Sequence, residues 1–140
     1  MTHQVSFKDQ TFKTQFETCT TAPPEFNHRA HIRLAYLYLC EDDTEAAYQK
    51  MRHSLKAFLR HHGVDPSKYH ETMTRAWILA VKHFMVNSTS ALSANDFMQK
   101  NLRLLDKQIM LTHYSKEVLF SDKARLRFIQ PDLEAIPRYA

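Results

Sequence analysis

Residues 32–39 read I-R-L-A-Y-L-Y-L, and this stretch decides what kind of fold the chain adopts. Seven of the eight side chains are apolar, so a helix built from them is apolar nearly all round. Such a helix must be covered by other elements on every side. We therefore predict a central helix that begins near residues 25–27, with Asn27 as its N-cap, and ends at about Cys40.

The rest of the chain supplies helices that can cover the central one. Gly63 is the only glycine in 140 residues, which disfavours tight hairpins and excludes a glycine-rich nucleotide loop. Apolar residues at helical spacing predict further helices. Their ranges are 7–19, 45–62, 67–86, a segment after Ser93 whose apolar positions extend to Ile109, 116–120 and 124–129. The predicted fold is an all-α, single-domain antiparallel helical bundle of four to five main helices, with a flexible segment 1–6 and an irregular tail 130–140.

Composition limits the class of protein and its partners. The formal net charge is +4 and the basic residues are spread along the chain without a recognised motif, so a nucleic-acid partner is not expected. No run approaches the roughly 18 apolar residues that cross a bilayer, and the N-terminus does not resemble a signal peptide. Cys19 and Cys40 do not form a CxxC motif, and we interpret them as two reduced, partly buried thiols. We expect a cytoplasmic protein that does not contact membranes; its oligomeric state is left open.

The predicted helix 67–86 carries polar groups where a buried helix would be apolar. His70, Glu71, Thr72 and Thr74 follow one another within five positions, and polar groups are costly to bury without partners. The run H-E-T-M-T begins like the zinc-protease motif H-E-x-x-H, but Thr74 stands where that motif has its second histidine. A protease of that class is therefore excluded, and the polar run needs another explanation.

A second polar pair offers one. His28 and His31 are three residues apart, so they share a face at the start of the central helix. Two helices separated by one intervening helix can run parallel, which would bring His70 to the same end of the bundle. The three imidazoles would then bind a divalent transition metal such as Zn, Fe, Ni or Cu. The site would act on a small-molecule substrate, with Glu71 as an acid or base beside the metal.

Two other interpretations of the same residues stay open. The histidines and Glu71 could line a metal-free polar pocket for a small-molecule ligand, in a binding or regulatory domain that is not catalytic. They could also form a purely structural network, in which Tyr69 and Arg29 satisfy the buried groups. Arg125 and Arg127 could bind an anion, although a solvated basic face is the commoner role for such a pair. The pattern does not decide whether the protein is an enzyme.

Several stretches resemble a family signature. Residues 26–35 read F-N-H-R-A-H-I-R-L-A, residues 69–74 read Y-H-E-T-M-T and residues 114–121 read Y-S-K-E-V-L-F-S. Together with Ala124-Arg125 and 131–133, they resemble small bacterial helical proteins of uncharacterised function that carry an H-R-x-H … Y-H-E-T-x-T signature. The resemblance implies that His28, His31, His70 and Glu71 act as a unit, and it implies no reaction type.

Overall fold

The computed structural model describes residues 2–139, and the fold within that range is all-α with no β-strand. The all-α, single-domain prediction is confirmed. Two residues lie outside the described range: Met1, the first residue of the predicted flexible segment, and Ala140, the last residue of the predicted irregular tail. The α-helices are α1 (Phe7–Glu17), α2 (His28–Glu41), α3 (Thr44–His61), α4 (Glu71–Val86), α5 (Ala94–Lys100), α6 (Lys116–Leu119) and α7 (Asp122–Leu126). Short 3-10 turns cover Pro23–Glu25, Pro66–Lys68, Leu102–Leu105 and Lys107–Thr112.

Helix α2 lies at the centre of the molecule, as its composition predicts. It packs against α1, α3, α4 and α5, and its apolar side chains are buried on every face. The Tyr38 hydroxyl is 2.7 Å from Ser54 Oγ of α3, so even the polar tip of this buried ring has a partner. Each fully buried large apolar side chain contributes about 1.5–3 kcal/mol to folding, so the apolar residues of α2 are a large part of the hydrophobic core.

Local sequence signals set most of the helix ends. Asn27 caps α2, because its Oδ1 accepts the amide of Ala30 at 2.9 Å. Gly63 stops α3 with a backbone φ of +65°, a conformation that costs little only for glycine. Both assignments confirm the predicted boundaries.

Helix α4 begins later than predicted. The chain forms a 3-10 turn at Pro66–Lys68, and His70 is then the N-cap of α4, with φ −126° and ψ 106°. Its Nδ1 accepts the amide of Met73 at 3.1 Å, so an imidazole does the work that a serine or aspartate usually does. The prediction of a start at 67 or 68 was wrong because the sequence rules do not count histidine among the capping residues.

Helix α5 is also shorter than predicted. The apolar positions up to Ile109 predict one helix, but α5 ends at Lys100. Asn101 has φ −137° and ψ 56°, and its Nδ2 donates to the carbonyl of Phe97 at 2.9 Å. The side chain therefore replaces the next helical hydrogen bond, and two 3-10 turns follow.

Helix direction decides which residues can meet. Helices α3 and α4 are antiparallel: Glu45 near the start of α3 pairs with Arg75, while Arg52 further along pairs with Glu71 at the start of α4. Helix α4 therefore presents its first turn to the middle of α3. None of the helices in residues 2–139 combines the length and the apolar content needed to span a bilayer.

Candidate functional site

Glu71 is the most heavily hydrogen-bonded of the predicted site residues. It is 7 % exposed, and three donors from two elements reach its carboxylate. Arg52 Nε donates to Oε1 at 2.9 Å, Tyr69 donates to Oε2 at 3.0 Å, and the Tyr48 hydroxyl donates to the same Oε2. Burial alone would raise the pKa of Glu71, but the hydrogen bonds from Tyr48, Arg52 and Tyr69 together hold that pKa below its usual value. Glu71 is thus an ionised, fully satisfied group.

The tyrosine partners of Glu71 stay protonated. Burial, followed by the hydrogen bond to Glu71, raises the pKa of Tyr48 to about 12. Burial is also the largest cause that raises the pKa of Tyr69. Both hydroxyls are therefore permanent donors near neutral pH, and they hold Glu71 against the middle of α3.

His70 uses both ring nitrogens within the fold. Because Nδ1 accepts the Met73 amide, Nε2 carries the proton, and it donates to the carbonyl of Leu119 at 2.7 Å. The ring is 8 % exposed, and burial lowers its pKa, so it is neutral. His70 thereby fastens the start of α4 to the end of α6.

His28 is anchored elsewhere. Its Nε2 lies 2.9 Å from the carbonyl of Leu104, and its ring meets the edge of Trp77 at a centroid distance of 4.7 Å. Burial, as the largest cause, lowers the pKa of His28. The ring therefore connects the start of α2 to the second turn of α4 and to the 3-10 turn at Leu102–Leu105.

His31 differs from the other two histidines. Its Nε2 is buried, and no group within residues 2–139 makes a hydrogen bond to it. The ring is stacked on Phe26 at a centroid distance of 5.9 Å. Burial, with a smaller contribution from the nearby His28, lowers the pKa of His31 to about 4, so the ring is neutral at physiological pH.

The four predicted residues are directed to different parts of the molecule. His28 contacts Trp77, which follows His70 by seven residues, or about 10 Å along an α-helix. The start of α2 is thus level with the second turn of α4 and not with its cap, while Glu71 faces α3. In the part of the chain that the structure describes, no group of three or more His, Cys, Asp or Glu side chains is arranged to hold a metal ion. Metal binding by His28, His31 and His70 stays a prediction.

A basic cleft lies beside Glu71. It has a volume of about 330 Å³ and is enclosed by α3, the segment 64–69 and α7. Its cationic lining residues are Arg52, Lys56, Arg60 and Arg125, and its apolar lining residues are Leu59, Val64, Pro66 and Leu126. Tyr69 and Glu71 form part of the same wall.

The cations of the basic cleft keep donors that the protein does not use. Arg52 contacts Glu71 only through Nε, and Arg125 donates through Nη1 to the Ser67 carbonyl at 3.0 Å. Lys56 Nζ lies 4.9 Å from the centre of the Tyr69 ring, a cation–π contact. The Arg60 side chain is exposed and makes no hydrogen bond or ion pair with any group in residues 2–139. The cleft therefore offers several unpaired N–H groups to a ligand.

The spacing of residues along α3 is a signal for this site in the sequence. Tyr48, Arg52, Lys56 and Arg60 are spaced at four-residue intervals, which places them along one face of α3. Such a stripe normally indicates a solvated helix face. The segment 64–69 and the short helix α7 lie opposite this face, so Arg52, Lys56 and Arg60 become one wall of a cleft.

The comparisons with known proteins do not identify the chain: no family model, no curated protein and no solved structure matches it. The resemblance to small bacterial proteins with the H-R-x-H … Y-H-E-T-x-T signature stays a prediction. The function must therefore be argued from the geometry.

Proposed function

We propose that the protein is a binding domain for a small anionic organic molecule, and that the ligand occupies the basic cleft without a metal. The observation that carries this proposal is the imbalance of charge in the cleft. Four cationic side chains line it, and Glu71 is the only acidic side chain in the lining that residues 2–139 form. The Glu71 carboxylate already accepts three hydrogen bonds, so it offers little competition to an incoming anion.

The strength of the attraction depends on how much water the cleft excludes. Two opposite unit charges at 4 Å attract by about 1 kcal/mol in bulk water and by about 4 kcal/mol at the effective dielectric constant of about 20 found near a protein surface. Several cations around one concave site add their fields. The volume of about 330 Å³ is at the lower end of the range for ligand pockets, which favours a small molecule.

The cleft is also pre-organised. Glu71 fixes the Arg52 guanidinium through Nε, the Ser67 carbonyl fixes Arg125, and the Tyr69 ring supports Lys56. Because these side chains are held before a ligand arrives, less conformational entropy is lost on binding. Glu71 has a positioning role here: it orients Arg52 and does not contact the ligand.

Calorimetric titration with a panel of organic carboxylates and phosphates tests the proposal. We expect Lys56→Gln and Arg60→Gln each to weaken binding by about 3- to 10-fold, which corresponds to about 0.7–1.4 kcal/mol. Lys8→Gln removes the same charge from an exposed site on α1, outside the cleft, and should leave the affinity unchanged. If no anion in the panel binds, or if Lys8→Gln weakens binding as much as Arg60→Gln, the proposal is wrong.

A metal-dependent function is the second candidate, and His31 supports it. A buried imidazole nitrogen without a partner carries a desolvation cost of about 1–3 kcal/mol, and a metal ion would relieve it. His28 and His70 would each have to exchange a carbonyl hydrogen bond for the metal. Titration with Zn²⁺ and Co²⁺, with His31→Ala as the matched variant, tests this candidate. In this role Glu71 would be the acid or base.

A cytoplasmic location forms part of the same proposal. Cys19 and Cys40 are both free thiols, and burial raises the pKa of Cys40 to about 11. A thiol that stays protonated reacts slowly with oxidants, which is consistent with a structural role in a reducing compartment.

A further inference from the structure

The geometry of the basic cleft points to a narrower class of ligand, and this inference rests on the proposed function. We propose that the ligand is an organic phosphate monoester with a small apolar or aromatic body. The phosphate lies among the cations of α3 and α7, and the body lies against Leu126 and the neighbouring apolar wall. Two independent features of the cleft support this assignment.

The first feature is the number of cations that remain unneutralised. The Arg52 charge is balanced by Glu71, but Lys56, Arg60 and Arg125 form no ion pair with any carboxylate in residues 2–139. A single carboxylate would leave most of this positive charge without a counterion. A phosphate monoester is close to dianionic at neutral pH and presents three acceptor oxygens, so it matches the charge and the number of donors better.

The orientation of Arg52 supports the same headgroup. Its Nε is occupied by Glu71 Oε1 at 2.9 Å, which leaves the two terminal Nη groups as a planar fork. The Arg52 side chain is 40 % exposed, so this fork is accessible. Arginine binds phosphate oxygens in a bidentate manner through such a pair of N–H groups, and Arg60 and Arg125 can supply further donors.

The second feature is the apolar half of the cleft. Leu126 of α7 is an apolar side chain that is 80 % exposed. It lines the cleft together with Leu59, Val64 and Pro66. An inorganic phosphate or another purely polar anion would leave these side chains in water. A ligand with an apolar body covers them, and this distinguishes an organic phosphate from the free ion.

Three probes test the inference at about pH 8. A phosphate monoester is dianionic at this pH, because its second pKa is about 6. Phenyl phosphate carries both features, inorganic phosphate lacks the body, and benzoate lacks the second charge. We expect calorimetry to show that phenyl phosphate binds at least 10-fold more tightly than either of the other two. Equal affinity for inorganic phosphate would overturn the assignment of an apolar body, and equal affinity for benzoate would overturn the assignment of a dianion.

Two variants locate the contacts. Arg60→Gln and Leu126→Ser both change exposed side chains, so neither should disturb the fold. Arg60→Gln should weaken phenyl phosphate and inorganic phosphate alike, whereas Leu126→Ser should weaken phenyl phosphate about 3-fold and leave inorganic phosphate unchanged. If Leu126→Ser has no effect on phenyl phosphate, the body does not lie on α7 and the inference is wrong. Failure of all three probes to bind would instead overturn the proposed function itself.

Discussion

Glu71→Gln should destabilise the protein by about 3 kcal/mol, because the substitution removes a buried charge that three donors satisfy. Hydrogen bonds to a charged group contribute about 1.5–3 kcal/mol each, and the hydroxyls of buried Tyr48 and half-buried Tyr69 provide two of them. The Arg52 pair adds less than about 1 kcal/mol, because the Arg52 side chain is 40 % exposed and water screens it. The glutamine retains one acceptor oxygen, so part of the network survives.

Urea denaturation followed by circular dichroism measures this loss. The midpoint should fall while the slope with denaturant stays constant, which shows that the native state has not expanded. Glu25→Gln is a suitable control, because Glu25 is exposed in the 3-10 turn before α2 and should change stability by less than about 0.5 kcal/mol. If Glu71→Gln is as stable as the control, Glu71 does not organise the network and the argument for a pre-oriented Arg52 fails.

The pH dependence gives a second measure of the same contact. The pKa of Glu71 is lower in the folded state than the ordinary value of 4.5, so the unfolded chain takes up the proton first as the pH falls. The stabilisation by ionised Glu71 is therefore complete above 4.5 and is lost as the pH drops through the lower, folded pKa. The stabilities of wild type and Glu71→Gln should converge under acidic conditions and be furthest apart at neutral pH.

Three further predictions concern other residues. The pKa of His31 falls from 6.5 to about 4 on folding, so the unfolded state binds a proton first as the pH drops. The free energy of unfolding should therefore decrease between pH 6.5 and about 4. Denaturation curves recorded across this range should show that His31→Phe loses about 2–3 kcal/mol less stability than the wild type. His70→Ala removes the cap of α4 and the hydrogen bond to Leu119, so urea denaturation should show a loss of about 2–3 kcal/mol. His70→Asn should recover about 1 kcal/mol of this loss, because it restores a capping acceptor. Equal stability of the two variants would show that the cap is unimportant. Gly63→Ala should lower stability by about 1 kcal/mol in a thermal melt, and the cause is the φ of +65° alone, because nothing lies within 4 Å of the added methyl group.

The helices were predictable where short-range physics decides them. The apolar run 32–39 required a central helix, Asn27 provided its cap, and Gly63 ended α3. Each signal acts within a few residues of the boundary that it sets, so it can be recognised without knowledge of the tertiary structure. The predicted start of α4 is too early and the predicted end of α5 is too late, because His70 and Asn101 use their side chains as hydrogen-bond partners of the backbone. Helix propensities do not indicate such contacts.

The candidate site was less accessible from the sequence. The polar run at residues 70–74 was correctly singled out as unusual, but the direction of each side chain depends on how helices are offset along one another. Helix α2 begins level with Trp77, so His28 and His70 find different carbonyl partners, and Glu71 faces α3. The basic cleft joins α3 with α7, which are more than 60 residues apart in sequence, and no local pattern relates them.

A heteronuclear NMR titration with phenyl phosphate would show whether a small organic anion binds between α3 and α7, as we propose. We expect saturable shifts of the Arg52, Arg60 and Arg125 side-chain N–H signals, together with backbone shifts in 64–69. Shifts confined to a separate cavity, which is lined by Phe84, Arg103 and the C-terminal segment 134–137, would contradict this proposal, as would the absence of any saturable shift.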